Sequence, residues 1–136
     1  MVYRKDWGQP QQGAQGFART MKAFGRKVNL SVADLGTTNN VIGCFVVPGG
    51  FQIVGMIGPA VPVLGPALSL SIGDAGQANR YLSGSNIGVA GGAMPAMAST
   101  GFFRTFSDTE IQMLIATQSS APVAGIFEFY LYGMVV

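Results

Sequence analysis

The chain has 136 residues, of which 49% are hydrophobic and only 10% charged, with no histidine, one cysteine and a formal net charge of +2. A folded monomer of 14.2 kDa exposes about 6,800 Å², which leaves about one charge per 500 Å², a sparse surface for a soluble protein. These numbers exclude Ser-His-Asp and Cys-His catalysis, argue against a freely soluble monomer, and favour a chain whose surface is covered by neighbours.

At the N-terminus, MVYRKDWGQPQQG places Asp6 and polar residues where the apolar core of a secretory signal would begin, so cytoplasmic synthesis and assembly are expected. Residues 1–27 carry Arg4, Lys5, Arg19, Lys22, Arg26 and Lys27 against Asp6, a net of +5. Residues 28–136 carry Arg80 and Arg104 against Asp34, Asp74, Asp108, Glu110 and Glu128, a net of −3. The chain therefore divides into a basic arm, 1–27, and a nearly neutral body, 28–136. Gln9 to Gly13 read as extended. Ala14, Phe17, Met21 and Phe24 recur at helical spacing and predict a short amphipathic helix that ends at Gly25 and is marginal without a partner. Phe17, Arg19, Lys22, Arg26 and Lys27 are the candidate partner-binding residues of this arm. A solvated tail is the plain alternative. Nucleic acid is disfavoured as a partner, because no recognisable motif surrounds the bases.

The body reads as β throughout. Val28, Leu30 and Val32 alternate with polar or small residues, as do Leu68, Leu70 and Ile72, so each run buries one face. Val41 to Val47 (VIGCFVV) is apolar on both faces. Near the C-terminus Phe127, Phe129 and Leu131 share one face, while Ile126, Tyr130, Tyr132 and Met134 share the other. Strands apolar on both sides need cover on both sides, and in so small a body a second subunit is the expected source. Further strands are expected at Phe51–Ile57, Tyr81–Gly84, Gly101–Phe106 and Glu110–Thr117, with turns at 36–40, 48–50, 73–76 and 119–122. Gly84 to Ala98 reads as a long loop, in which Met94 and Met97 are candidate interface residues. The fold expected is all-β: an antiparallel sandwich or jelly-roll-like body of about six to eight strands, preceded by an extended or short-helical N-terminal arm.

Little in the sequence points to chemistry. Cys44, between Gly43 and Phe45, reads as a small buried hydrophobe. Asp108 and Glu110 read as a turn and a strand start rather than an acid–base pair. Gly73-Asp74-Ala75-Gly76 offers one carboxylate where a calcium loop needs several, and reads as a turn. No catalytic residue, metal site, cofactor or small-molecule substrate is expected. The two long charge-free stretches are broken by proline and glycine, so spanning helices are disfavoured and membrane is not an expected partner.

The stretch from Leu68 to Leu82 (LSLSIGDAGQANRYL) resembles a pattern of small structural proteins of tailed bacteriophages. There, an "LxVGD" strand precedes a small-residue turn and an aromatic near "RY". Pro48-Gly-Gly-Phe-Gln-Ile-Val54 is similar to the preceding "PxG" turn and strand, and Ala124-Gly-Ile-Phe-Glu-Phe-Tyr130 to the final aromatic strand. The resemblance covers about Val28 to Val136 and leaves the basic arm outside it. It implies a capsid decoration (cement) or head-fibre-like protein with a sandwich or jelly-roll body. It further implies a homo-oligomer, with a trimer favoured, bound to the major capsid protein on the capsid surface of the virion. Phe127, Phe129, Tyr130 and Tyr132, with Met94 and Met97, are the expected oligomer interface. A tail or fibre-base component is the near alternative. A membrane-associated protein using the basic amphipathic N-terminus is the alternative of another class.

Overall fold

The computed structural model describes residues 21–136. Eight strands form two four-stranded antiparallel sheets: β1 (Met21–Leu30), β2 (Asn40–Val47), β3 (Phe51–Ile57), β4 (Ser69–Gly73), β5 (Leu82–Ser85), β6 (Arg104–Thr105), β7 (Thr109–Thr117) and β8 (Gly125–Val135). One sheet runs β1-β8-β3-β6 and the other β2-β7-β4-β5. This interleaved order, with β8 beside β1, is that of a jelly roll. Among the described residues no helix is long and apolar enough to cross a membrane.

The core lies between the sheets. Phe127, Phe129 and Leu131 of β8, with Phe51 and Ile53 of β3, face Leu70 and Ile72 of β4 and Ile111, Met113 and Ile115 of β7, all of them buried. Their period-2 spacing is the alternation that a half-buried strand requires. Phe127 and Phe129 meet edge to face at 5.8 Å, and Phe45 leans on Phe129 from the opposite sheet at 5.2 Å.

Several elements differ from the sequence expectations for local physical reasons. Residues 21–27 of the expected arm are strand, so the expected helix does not extend over Met21–Phe24. Ten residues of β1 pair in continuous register with β8, from Met21 opposite Met134 to Leu30 opposite Gly125. Within it Phe24 turns inward and packs edge to face on Phe51 at 5.0 Å. Long-range pairing outweighs a weak helical period that glycine already undermined. The earlier part of that helix, with Phe17 and Arg19, lies outside the described residues.

Val32 does not continue the first strand. It opens a one-turn helix, α1 (Val32–Leu35), because Ser31 and Asp34 form a reciprocal capping box. In β2 a bulge between Gly43 and Phe45 inserts Cys44. Cys44 is thereby buried near Phe45, while Val41 and Val46 stay exposed on the outer face. The long loop contains a second single turn, α2 (Ile87–Ala90), and a bridge between Val61 and Gly92. The strand expected over Gly101–Phe106 shortens to Arg104–Thr105.

Candidate assembly surfaces

The outer face of the β1-β8-β3 sheet is built around two tyrosines lying on two glycines. Gly25 of β1 stands opposite Tyr130, and a Cβ there would meet the Tyr130 Cδ1 at 2.5 Å. Gly55 of β3 stands opposite Tyr132, and a Cβ there would run into the Tyr132 ring. Each ring thus occupies the space that a side chain at the glycine opposite would need, as aromatics do over glycine in sheets. The Tyr130 hydroxyl donates to Glu128 Oε2 at 2.7 Å, and this bond raises its pKa. Ile57, Ile126 and Met21 extend the apolar area and are exposed. Tyr130 and Tyr132 are half-buried.

Other candidate interface residues are placed differently. Phe127 and Phe129 have no exposed surface and serve the core alone. In Phe127-Glu128-Phe129-Tyr130 every second side chain is on the inner face, which leaves Tyr130 and Tyr132 on the outer one. Met94 and Met97 are half-buried and pack against the core cluster. The Met97 thioether lies where a Cβ on Gly101 would sit within 2.6 Å, so it plugs the loop onto the body.

Of the basic residues, Lys22, Arg26 and Lys27 are exposed on β1, the edge of its sheet. Lys27 stands opposite Glu128. Arg26 donates from Nη1 to the Cys44 carbonyl at 3.3 Å, crossing from one sheet to the bulge of the other. Cations along an edge strand also discourage indiscriminate strand pairing. Burial raises the Cys44 thiol pKa to about 12, with Arg26 opposing the shift. The thiol is a neutral packing group, not a nucleophile at neutral pH.

The β4–β5 turn carries the one ion pair among the described residues, Arg80 Nε to Asp74 Oδ2 at 2.8 Å. Asp74 Oδ1 also accepts the backbone N–H groups of Gly76 and Gln77, both at 3.0 Å, and Oδ2 accepts the Tyr81 hydroxyl at 3.3 Å. Burial, followed by the Asp74 charge, pushes the Tyr81 phenol upward. Arg80 in turn covers the Phe103 ring at 3.7 Å. These contacts use the carboxylate to hold a turn. Beside it, a cleft of about 310 Å³ is lined by Ala75, Gly76, Arg80, Phe103, Asp108 and Glu110, among others. Phe106, in the Phe103–Glu110 segment whose two ends line the cleft, is 82% exposed. Sequence reading missed Phe106; three phenylalanines within Phe102–Phe106 were the available signal, but nothing in their spacing says which one faces water.

No family model matches the chain, and no curated protein matches it in sequence. Its fold is similar to solved structures of two bacteriophages. A chain of the cyanophage Pam1 capsid asymmetric unit superposes with a TM-score of 0.71 at 18% identity, over 85% of each chain. A chain of the capsid of Ralstonia phage GP4 does so with a TM-score of 0.69 at 21% identity, again over 85% of each. The likeness thus spans most of the jelly roll.

Proposed function

We propose that this protein is a non-enzymatic structural subunit of a phage virion, a decoration or cement protein that binds the major capsid protein and stabilises the shell. The observation that carries the reading is the match of this fold, over 85% of the chain, to chains found in two phage capsids. The surface supports it. Tyr130 and Tyr132 form an aromatic area on one sheet face, and obligate interfaces are rich in such residues and poor in charge. The other sheet presents Val41, Val46 and Leu114 outward with few charges. Around a closed shell the same contact repeats, so a modest affinity per subunit suffices.

In this reading the Tyr130–Tyr132 face, expected from the sequence as an oligomer interface, rests on the shell instead, the N-terminal segment with Phe17 and Arg19 reaches a neighbouring subunit, and Lys22, Arg26 and Lys27 add their charge to that contact from the β1 edge. Purified protein mixed with shells assembled without it is expected to co-sediment and to saturate at a fixed number of copies per shell. Absence of saturable binding would overturn the assignment to the head. Binding to isolated tails instead would move the protein to the tail or fibre base.

A further inference from the structure

Phe106 is the most exposed large apolar side chain among the described residues, at 82%. Burying its ring elsewhere is favourable by the hydrophobic effect, and an isolated phenylalanine in water contributes nothing to this body's core. Yet the backbone around it is firmly held. Thr105 Oγ1 donates to the Pro48 carbonyl at 2.7 Å and accepts the Phe51 N–H at 3.1 Å. The Gly50 N–H donates to the Thr105 carbonyl at 2.7 Å, and the Gly49 N–H donates to Asp108 Oδ1 at 3.1 Å. Gly49 runs so close that a Cβ would stand 2.9 Å from the Ser107 Cα. The 48–50 turn therefore clamps the chain on both sides of Phe106. A side chain presented on a clamped turn loses little freedom on docking.

Its surroundings define what it would enter. Arg104 places its guanidinium carbon 5.5 Å from the Phe106 ring centre, so the projection is an aromatic ring accompanied by a cation. Aromatic residues and arginine are the side chains most often found at binding hot spots. The complementary feature is on the same chain. The cleft of about 310 Å³ has the Phe103 ring and the Arg80 guanidinium on its wall and carries Asp108 and Glu110. It is at the small end of binding clefts, matched to one side chain rather than to a larger molecule. Arg80 is neutralised by Asp74. Among the described residues Asp108 and Glu110 have no ion-pair partner, and neither has Arg104. An exposed aromatic ring with a cation is thus carried on the same segment as an aromatic cleft with two carboxylates.

Projection and cleft share the short segment Phe103–Glu110. Their adjacency matters for symmetry. A self-complementary patch that holds both the knob and its hole makes an isologous contact about a two-fold axis, in which each copy gives and receives. We propose that Phe106 of one copy inserts into the Phe103–Arg80 cleft of a second copy, with Arg104 meeting Glu110, and that the second copy reciprocates. The proposal deepens the assembly reading by naming a contact between copies. It rests on that reading only for the high local concentration that a shell provides.

The test uses the full chain and reads self-association by sedimentation velocity, separately from shell binding. Wild type is expected to form a reversible dimer. Phe106→Ser is expected to weaken it at least about 30-fold, with an unchanged unfolding midpoint, because the ring makes no core contact. Arg104→Glu and Glu110→Arg are each expected to abolish self-association by placing like charges opposite each other twice. Mixed in equal amounts, those two variants are expected to associate with each other, since both contacts then pair opposite charges. Dimers that survive Phe106→Ser, or charge variants that fail to associate on mixing, would overturn the proposal. If Phe106→Ser loses shell binding but keeps self-association, the ring's partner is the shell and the proposal also falls, while the assembly reading stands. Failure of wild type to bind shells would remove the assembly reading and leave the dimer contact to be judged on its own data.

Discussion

Asp74 receives hydrogen bonds from Gly76, Gln77, Arg80 and Tyr81 and is itself buried. Asp74→Ala leaves the Arg80 guanidinium and the Tyr81 hydroxyl without their acceptor. Breaking a buried pair from one side costs about 3 kcal/mol, and urea unfolding is expected to show a loss of that size. Cys44 offers a second residue-scale test. Its thiol, pushed to about 12, is expected to react negligibly with a thiol reagent at pH 8 until the protein unfolds. The unfolded thiol ionises near its ordinary value of about 8.5, while the folded one keeps its proton. The stabilisation from keeping Cys44 neutral is therefore complete below the unfolded pKa and is lost as pH rises toward about 12. Cys44→Ala is expected to show a shallower decline of unfolding free energy over that range.

At the scale of elements, β1 decides how the N-terminal segment can be removed. Deletion of residues 1–20 spares the strand and is expected to leave the unfolding midpoint unchanged while weakening shell binding. Deletion of 1–25 also removes Phe24 from its contact with Phe51 and half the pairing with β8, and is expected to destabilise the body. Unaltered shell binding by the shorter deletion would remove the segment from the attachment. The Tyr130 and Tyr132 rings can be cut back with less harm, because they lie on the outer face. Tyr130→Ala with Tyr132→Ala is expected to keep the fold by circular dichroism and to lose most shell binding. Much of this architecture was legible as alternation. Leu68, Leu70 and Ile72, and Phe127, Phe129 and Leu131, announce strands because the side-chain period of a sheet is two. What was not legible depends on distant partners. Met21–Phe24 became strand because β8 extends far enough to pair with it. Val32 became helix because Ser31 and Asp34 cap each other. The bulge at Cys44 explains how seven apolar residues can bury some side chains on one face and still expose Val41 and Val46. For the candidate surface, alternation separated Phe127 and Phe129 from Tyr130 and Tyr132 but did not say that the first pair is wholly internal. The exposure of Phe106 follows from the clamp set by the 48–50 turn, which no local pattern reveals.

For the whole molecule, the sparse charge, the jelly roll and the open sheet faces fit the proposed subunit whose surface neighbours complete. Both sheets of an isolated sandwich ordinarily present a polar outer face. Here one face carries the Tyr130–Tyr132 area and the other carries exposed valines, an arrangement that suits contacts on two sides. The same economy of charge leaves few groups to steer encounter, so repetition around the shell, rather than the strength of any single contact, is expected to hold each copy in place. The most direct measurement of that account is the temperature at which phage particles release their DNA, compared between particles assembled without this protein and the same particles after it is added back. A cement protein is expected to raise the release temperature and to do so in step with occupancy. The account would be contradicted by a release temperature that stays the same when the shell sites are saturated.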